Sequence, residues 1–527
     1  MVPTTASTTK NKTSQGGGKQ LSGFDRFFEI TRRKSSPSRE VRGGLVTFFT
    51  MAYILALNPI IIGTGPDSTG RLITGACINV PDSAVKGACT AADLVADVGA
   101  ATGTSIAAVA AATALVAGLM TLLMGILGRY PVGIATGLGI NAMVAYTIVK
   151  MPGMTWPDAM GLIVWEGIVI TVLVLTGFRE AIFKAVPREL RIAISVGIGL
   201  FIAFIGLVDA GVVRADGGTI TSLGVGGSLL GWPILIFAVG LFLMIFLYSR
   251  KVKGGILIAI LGMTVLAVLL QMGHPIPAAH DETGAVVAAT GWWSNVPSWT
   301  GGFSWPSFQL LFHVNLFGGF APGGNLTFGS LLAGVMILLS LVLSDFFDTM
   351  GTIVAIGAEG DLLNEKGEPP HLRSVLLADA LAAVGGGLGG VSSNTAYIES
   401  SSGVAEGART GFASIITGAA FLVAIFVSPV MKLVPAEAVA TALVLVGFLM
   451  LQQVKNIPWD DIEKALPAFL TILMMPLGYS ITVGIGVGFI SYVLLKLFHN
   501  KARQIHPLMW VCAALFVVYF LQGLVIG

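Results

Sequence analysis

Asp345 and Asp348 stand one helical turn apart in the apolar run Leu343-Ser344-Asp345-Phe346-Phe347-Asp348-Thr349, and a third carboxylate, Glu399, follows in Thr395-Ala396-Tyr397-Ile398-Glu399-Ser400. The stretch 330–358 that holds the two aspartates is long enough to cross a bilayer. An ionisable group at membrane depth costs about 2.5–3.5 kcal/mol on insertion scales, so a chain that keeps several in neighbouring segments uses them. The chemistry open to them is hydrogen bonding to a polar solute and carriage of a proton. These residues point to a membrane transporter for a small polar solute.

Composition agrees with that reading. The chain has 527 residues, 54% hydrophobic and 11% charged, with a mean hydropathy of +0.85. A soluble domain carries about twice that charged fraction. A net charge of +2 gives no support to nucleic-acid binding. H-E-x-x-H, C-x-x-C, G-x-S-x-G and P-loop patterns are absent, so the chain does not read as an enzyme or an ATP-driven pump, and it calls for no cofactor or metal. Cys77 and Cys89 share one loop, where a disulfide and two free thiols are both open, and Cys512 lies in an apolar run.

Residues 1–40 form a polar tail rich in Ser, Thr, Lys and Gly, expected to be disordered. Apolar segments then fall near 43–63, 104–128, 131–149, 158–177, 189–208, 229–248 and 255–271. A long loop with Trp292, Trp293, Trp299 and Trp305 follows, and then segments near 330–358, 374–391, 395–410, 411–433, 437–454, 463–478 and 482–498. A last stretch, 507–526, either adds a segment or marks 463–498 as a short hairpin. With the tail inside, the clusters Arg179/Lys184/Arg188/Arg191, Arg250/Lys251/Lys253, Lys366/Arg373 and Lys455/Lys464 all fall on the inner side. Only Arg71, Lys86, Lys150, Arg214 and Lys432 fall outside, which predicts a cytoplasmic N-terminus.

The two halves resemble each other. Phe48-Phe49-Thr50-Met51-Ala52 matches Phe346-Phe347-Asp348-Thr349-Met350-Gly351, and Ala185-Val186-Pro187-Arg188-Glu189-Leu190 matches Leu433-Val434-Pro435-Ala436-Glu437-Ala438. About seven segments per half would make the repeats inverted, with a binding site where broken helices meet at the midplane. The breaks are expected in the third and tenth segments. Tyr130-Pro131-Val132-Gly133-Ile134-Ala135-Thr136-Gly137-Leu138-Gly139-Ile140-Asn141 spaces glycines through a proline-led run, and Val391-Ser392-Ser393-Asn394-Thr395 is polar and β-branched. Extended backbone at that depth is tolerated where it lines a cavity or is buried in protein. The glycines from Gly385 to Gly390 read instead as helix-packing positions.

The strings D-F-F-D-T-M-G-T (345–352), Y-I-E-S-S-S-G-V-A-E-G-A-R-T-G (397–411), G-L-G-I-N-A (137–142), M-A-Y-I-L-A-L-N-P (51–59) and P-A-F-L-T-I-L-M-M-P-L-G-Y-S-I (467–481) resemble the nucleobase–cation symporter-2 family, in its hypoxanthine/guanine/adenine branch. The likeness runs from about residue 40 to the C-terminus. It implies an all-α polytopic membrane protein of about fourteen transmembrane segments in two inverted repeats, with short strands in segments 3 and 10. It also implies a core domain (41–178 and 330–434), a gate domain (179–272 and 435–527) and an outer loop, 273–329. The implied activity is proton-coupled import of a purine nucleobase across the plasma membrane, with a homodimer formed through the gate domain. By motif the base site falls on Asp345 or Asp348, Glu399 and Asn141. A purine edge presents N–H donors and N or O acceptors, to which a carboxylate and an amide can each make two hydrogen bonds.

Asp345, Asp348 and Glu399 are also the proton-coupling candidates, and Tyr397 is placed either to stack on the base or to pack. The family commonly has proline where Thr136 stands and aromatics where Met143 and Val144 stand. Glu166 and Asp379, two further acids in apolar segments, are expected to make structural hydrogen bonds. Proton is preferred over sodium by resemblance alone. The alternative is a transporter of another small solute or an anion on the same inverted-repeat fold, against which a substrate-facing carboxylate argues by repulsion.

Overall fold

The computed structural model describes residues 23–525 apart from 82–86, 178–185, 217–218, 226, 253, 280–287, 294, 298–304 and 365–368. The first part of the tail and Lys86, Arg179, Lys184, Lys253, Trp299 and Lys366 therefore lie outside the described residues. Among the described residues ten helical stretches are long and apolar enough to cross a membrane, from Pro37–Gly63 to Ile481–Phe498.

In chain order the helices of the first half are α1 (Gly23–Phe28), α2 (Pro37–Met51), α3 (Ile54–Gly63), α4 (Val98–Leu123), α5 (Leu138–Met143), α6 (Trp156–Thr176), α7 (Arg188–Asp209), α8 (Trp232–Ser249) and α9 (Gly255–Gly273). The second half supplies α10 (Phe328–Glu359), α11 (Leu372–Leu388), α12 (Ser400–Ala405), α13 (Gly411–Ala424), α14 (Ala436–Leu451), α15 (Ile462–Leu477), α16 (Ile481–Phe498) and α17 (Pro507–Val525). Strand β1 (Ile134–Thr136) pairs antiparallel with β4 (Asn394–Ala396), far along the chain, in register Ile134↔Ala396. A surface hairpin, β2 (Val213–Asp216) and β3 (Thr219–Leu223), is an addition that apolar periodicity did not indicate.

Local chemistry fixes the element ends. Thr155 and Asp158 form a reciprocal capping box at the start of α6, with the Thr155 hydroxyl 2.7 Å from Asp158 Oδ2. Helices α6 and α11 are held together by backbone approach through small residues. A side chain at Gly167 on α6 would lie 2.6 Å from Val384 N on α11, and one at Gly387 would lie 2.9 Å from Met160 O. Such contacts replace hydrophobic driving force with van der Waals packing where lipid surrounds the bundle.

The helices pack in two groups. One contains α2 to α6 and α10 to α13; the other contains α7 to α9 and α14 to α16. Helices α15 and α16 turn back on each other at Gly478–Ser480, and α17 follows as a separate helix packed on α16. Cys77 and Cys89 form a disulfide.

Residues 23–36 correct one expectation. They fall in the stretch read as disordered, yet they form α1 and a turn docked on the first group. Arg33 Nη1 donates to Arg129 O at 2.8 Å and to Arg409 O at 3.1 Å, and Phe24 (edge-on) and Phe28 (tilted) pack against Phe412. Glu40, fully buried, accepts from Arg409 N at 2.9 Å. Tail composition hid this because three aromatic rings and one arginine are enough to dock so short a segment.

Candidate functional site

The site begins with the two strands. An extended segment inside a helical bundle has no partners of its own, so its backbone groups must be matched by neighbours. Gly137 N donates to Ser393 O at 2.9 Å, and Tyr397 N donates to Gly133 O at 3.1 Å. Side chains complete the set. Thr121 Oγ1 receives Ile134 N at 2.9 Å, Ser400 Oγ receives Gly133 N at 3.0 Å, and Asp379 Oδ1 receives Ala396 N at 2.9 Å. Ser392, just ahead of β4, has a left-handed φ of 73°. The crossing is thus pinned from α4, α11 and α12, and each strand delivers its chain into a half-helix, α5 or α12.

A cavity of about 810 Å³ lies where these half-helices face the second helix group. One wall carries Gly137, Gly139, Ile140, Asp348 and Glu399; the other carries Ile194, Ser195, Ile198 and Met450. The cavity extends to Arg188, Arg191, Gln453 and Asn456, at the start of α7 and just past the end of α14. At the far end of α7 the two groups meet instead. Tyr146 donates its hydroxyl to Asp209 Oδ2 at 2.8 Å and packs edge-on to Tyr479, whose ring also meets Phe201.

Of the five site residues expected from sequence, two line this cavity. Asp348 is exposed to it from α10, Glu399 reaches it from the residue before α12, and each carboxylate lies within electrostatic reach of the other. Glu399 Oε1 accepts a hydrogen bond from Tyr53 OH at 2.6 Å. The other three lie behind the wall. Asn141 is fully buried and donates through Nδ2 to Asn58 Oδ1 at 2.7 Å, while Asn58 Nδ2 donates to Thr113 Oγ1 at 2.8 Å. Tyr397 donates its hydroxyl to Thr136 O at 2.6 Å and packs on Tyr53 with ring centroids 6.5 Å apart. Asp345 is 1% exposed and faces away from the cavity.

Two participants escaped sequence reasoning. Tyr53 and Asn58 both lie in M-A-Y-I-L-A-L-N-P, and a hydroxyl and an amide in an otherwise apolar span were the available signal. Asp379 accepts from Thr349 Oγ1 at 2.7 Å and from Ala396 N, the structural bonding expected of it. Glu166, expected to bond in the same way, is fully buried with the Ser393 hydroxyl facing it, and neither carboxyl oxygen has a partner at full hydrogen-bond distance. No group of three or more His, Cys, Asp or Glu side chains is arranged to hold a metal ion among the described residues.

Arranged in this way, the cavity presents two carboxylates, backbone from two glycines, and an apolar wall. That combination suits a flat, partly apolar solute with several N–H donors, and it disfavours an anion.

The model of the Permease family matches residues 85–487. The guanine/hypoxanthine permease PbuG of Bacillus subtilis is 35% identical over 495 residues, covering 94% of this chain and 99% of the relative. The adenine permease AdeP of Escherichia coli is 32% identical over 508 residues, covering 96% and 97%. Among solved structures, the transmembrane domain of the cyanobacterial bicarbonate transporter BicA superposes with a TM-score of 0.52 at 14% identity, covering 85% of this chain and 96% of that one. At that identity the likeness speaks for the fold alone.

Proposed function

The chain belongs to the Permease family, as a nucleobase–cation symporter-2 protein of the membrane, and we propose that it imports purine nucleobases by proton symport with alternating access. The observation that carries this is the pairing of Glu399 and Asp348 on one wall of a cavity between two helix groups. Support for purines comes from the relatives, which are permeases for guanine, hypoxanthine or adenine by name and match nearly end to end.

In this reading the base lies flat against the Gly137–Ile140 backbone. Its N–H groups donate to the Glu399 and Asp348 carboxylates, and charge-assisted bonds of this kind are about twice as strong as neutral ones. Tyr53 fixes the Glu399 rotamer, so less orientation is lost when the base arrives. Asn141 and Tyr397 act as positioning residues that hold α5 and the β1–β4 crossing, and Asp345 acts from behind through its own helix. Affinity in the micromolar range would require about 8 kcal/mol, which two such bonds and ring burial can supply.

The transport cycle moves the core domain (41–178 and 330–434) against the gate domain (179–272 and 435–527), with 273–329 as an outer loop and about fourteen segments in two inverted repeats. The cavity reaching Arg188 and Arg191, with Tyr146 and Asp209 joined at the other end, corresponds to an inward-facing state. The protein resides in the plasma membrane with its N-terminus in the cytoplasm and pairs as a homodimer through the gate domain. Likeness to a bicarbonate transporter does not move the substrate assignment, because two carboxylates at the cavity wall repel an anion.

The test is uptake of radiolabelled hypoxanthine, guanine, adenine and uracil in cells lacking their own nucleobase permeases, with and without a protonophore. Purine uptake that collapses with protonophore is expected. Uptake that survives it contradicts proton coupling, and uptake of uracil in place of purines contradicts the substrate class.

A further inference from the structure

One polar cluster is not used by the cavity. Glu166 on α6 and Asp345 on α10 are 0% and 1% exposed, and none of their carboxyl oxygens has a hydrogen-bond partner. The two acids are within electrostatic reach of each other. Above them lies the segment that leads into β4. Ser392, Ser393 and Asn394 there are fully buried, and the Ser392 and Ser393 hydroxyls and the Asn394 amide also lack partners. The Ser393 hydroxyl faces Glu166 and the Thr395 hydroxyl faces Asp345.

Among the described residues, the charged groups that act on the cluster are acidic. Asp345 from α10 and Asp379 from α11 face Glu166; Asp379, Glu166 and Asp348 face Asp345. Asp379 supplies the contrast that separates structure from function here. It sits in the same interior and has a hydroxyl and a backbone N–H donating to it. A structural carboxyl in this bundle is therefore supplied with two donors at hydrogen-bond distance, whereas Glu166 and Asp345 each have only one facing hydroxyl. A buried carboxyl with no cation and a single facing hydroxyl is poorly compensated as an anion, since unpaired burial of charge is costly. What such a pair takes up is a positive charge. The described residues hold no group of three or more His, Cys, Asp or Glu side chains arranged for a metal ion, and a proton needs only one carboxyl oxygen.

We propose that Glu166 and Asp345 together bind the symported proton, in a site behind the substrate cavity and separate from it. The proposal rests on the proton-symport reading above and assigns its carrier to a pair that includes Glu166. The link to substrate is short. Asp345 and Asp348 lie one turn apart on α10, and Asp348 opens on the cavity, giving the proton an exit to the inward-facing side. The chain that meets the pair at Ser393 and Thr395 continues through β4 to Glu399. Thr349 on α10 and Thr395 on β4 are also joined, with their hydroxyls 2.6 Å apart. A change of charge at the pair is thereby felt at both cavity carboxylates.

The experiment uses the full chain reconstituted in proteoliposomes, with hypoxanthine, guanine or adenine as probe. Accumulation driven by an imposed pH difference is compared with exchange of labelled for unlabelled base at equal pH. Coupling to one proton supports about tenfold accumulation per pH unit in wild type. In Glu166→Gln the accumulation ratio falls to about one while exchange stays within about threefold of wild type, and Glu166→Asp recovers part of the accumulation. Glu166→Gln that accumulates like wild type overturns the proposal, and so does loss of exchange together with accumulation, which marks Glu166 as a structural residue. Wild-type accumulation that follows a sodium gradient in place of a pH gradient overturns the proton assignment with purine binding untouched. Wild type that exchanges no purine overturns the functional reading itself.

Discussion

Tyr53 OH donates to Glu399 Oε1 at 2.6 Å, joining the first span to the residue before α12 at the wall of the cavity. The bond restrains a carboxylate on a short half-helix that has no side-chain cap of its own. Tyr53→Phe removes the donor and keeps the ring packed on Tyr397. A hydrogen bond to a charged group is worth about 1.5–3 kcal/mol, so purine affinity is expected to fall about tenfold or more with expression unchanged. Inhibition constants for unlabelled purines against labelled uptake measure this. An unchanged constant would mean that Glu399 needs no positioning.

The Asn141–Asn58–Thr113 chain predicts a different signature. Asn141→Ala leaves Asn58 Oδ1 without its donor in a fully buried place, at a cost of about 1–3 kcal/mol. Thermal unfolding in detergent should shift down by several degrees, with a smaller change in KM. A large rise in KM at unchanged stability would instead make Asn141 a direct ligand of the base.

At the closed end, Tyr146 and Asp209 join the two helix groups across the path. Tyr146→Phe weakens that closure by about 1 kcal/mol, which moves the population toward the state open at this end by about fivefold. The expected result is a lower KM for external purine and a lower maximal rate. If both parameters rise together, the bond does not act as a latch.

The Cys77–Cys89 disulfide closes a loop over a sequence separation of 12, for which chain entropy gives about 3 kcal/mol. The Cys77→Ser, Cys89→Ser double variant should unfold at lower temperature in detergent yet transport at the wild-type rate. Loss of transport at full expression would tie this loop to the cycle.

Charge in apolar surroundings made the site partly legible. Asp345 and Asp348 stand out because they are the only charged residues in 330–358, Glu399 because no other charge stands between Asp379 and Glu406, and the glycine spacing around Gly137 marked where a helix breaks. The depth of each acid was not legible: Asp345 and Asp348 differ by one turn, and only packing decides that one faces the cavity and the other faces Glu166. Tyr53 and Asn58 were missed because uncharged polar residues in a span look like ordinary core until their partners are seen. The docking of residues 23–36 was hidden for the opposite reason, a polar composition around a few aromatic contacts. Hydropathy located most helix boundaries within a few residues, since the bilayer sets their length, but it carried no signal for the β2–β3 hairpin outside the apolar runs.

The central claim is that a purine binds between Glu399 and Asp348. The most direct measurement is equilibrium binding of guanine, hypoxanthine and adenine to the purified protein, for wild type and Glu399→Gln, with uracil as competitor. At least one purine should bind wild type, uracil should not displace it, and Glu399→Gln should weaken binding by about tenfold or more. Purine binding of equal strength in Glu399→Gln, or none to folded wild type, would contradict the account.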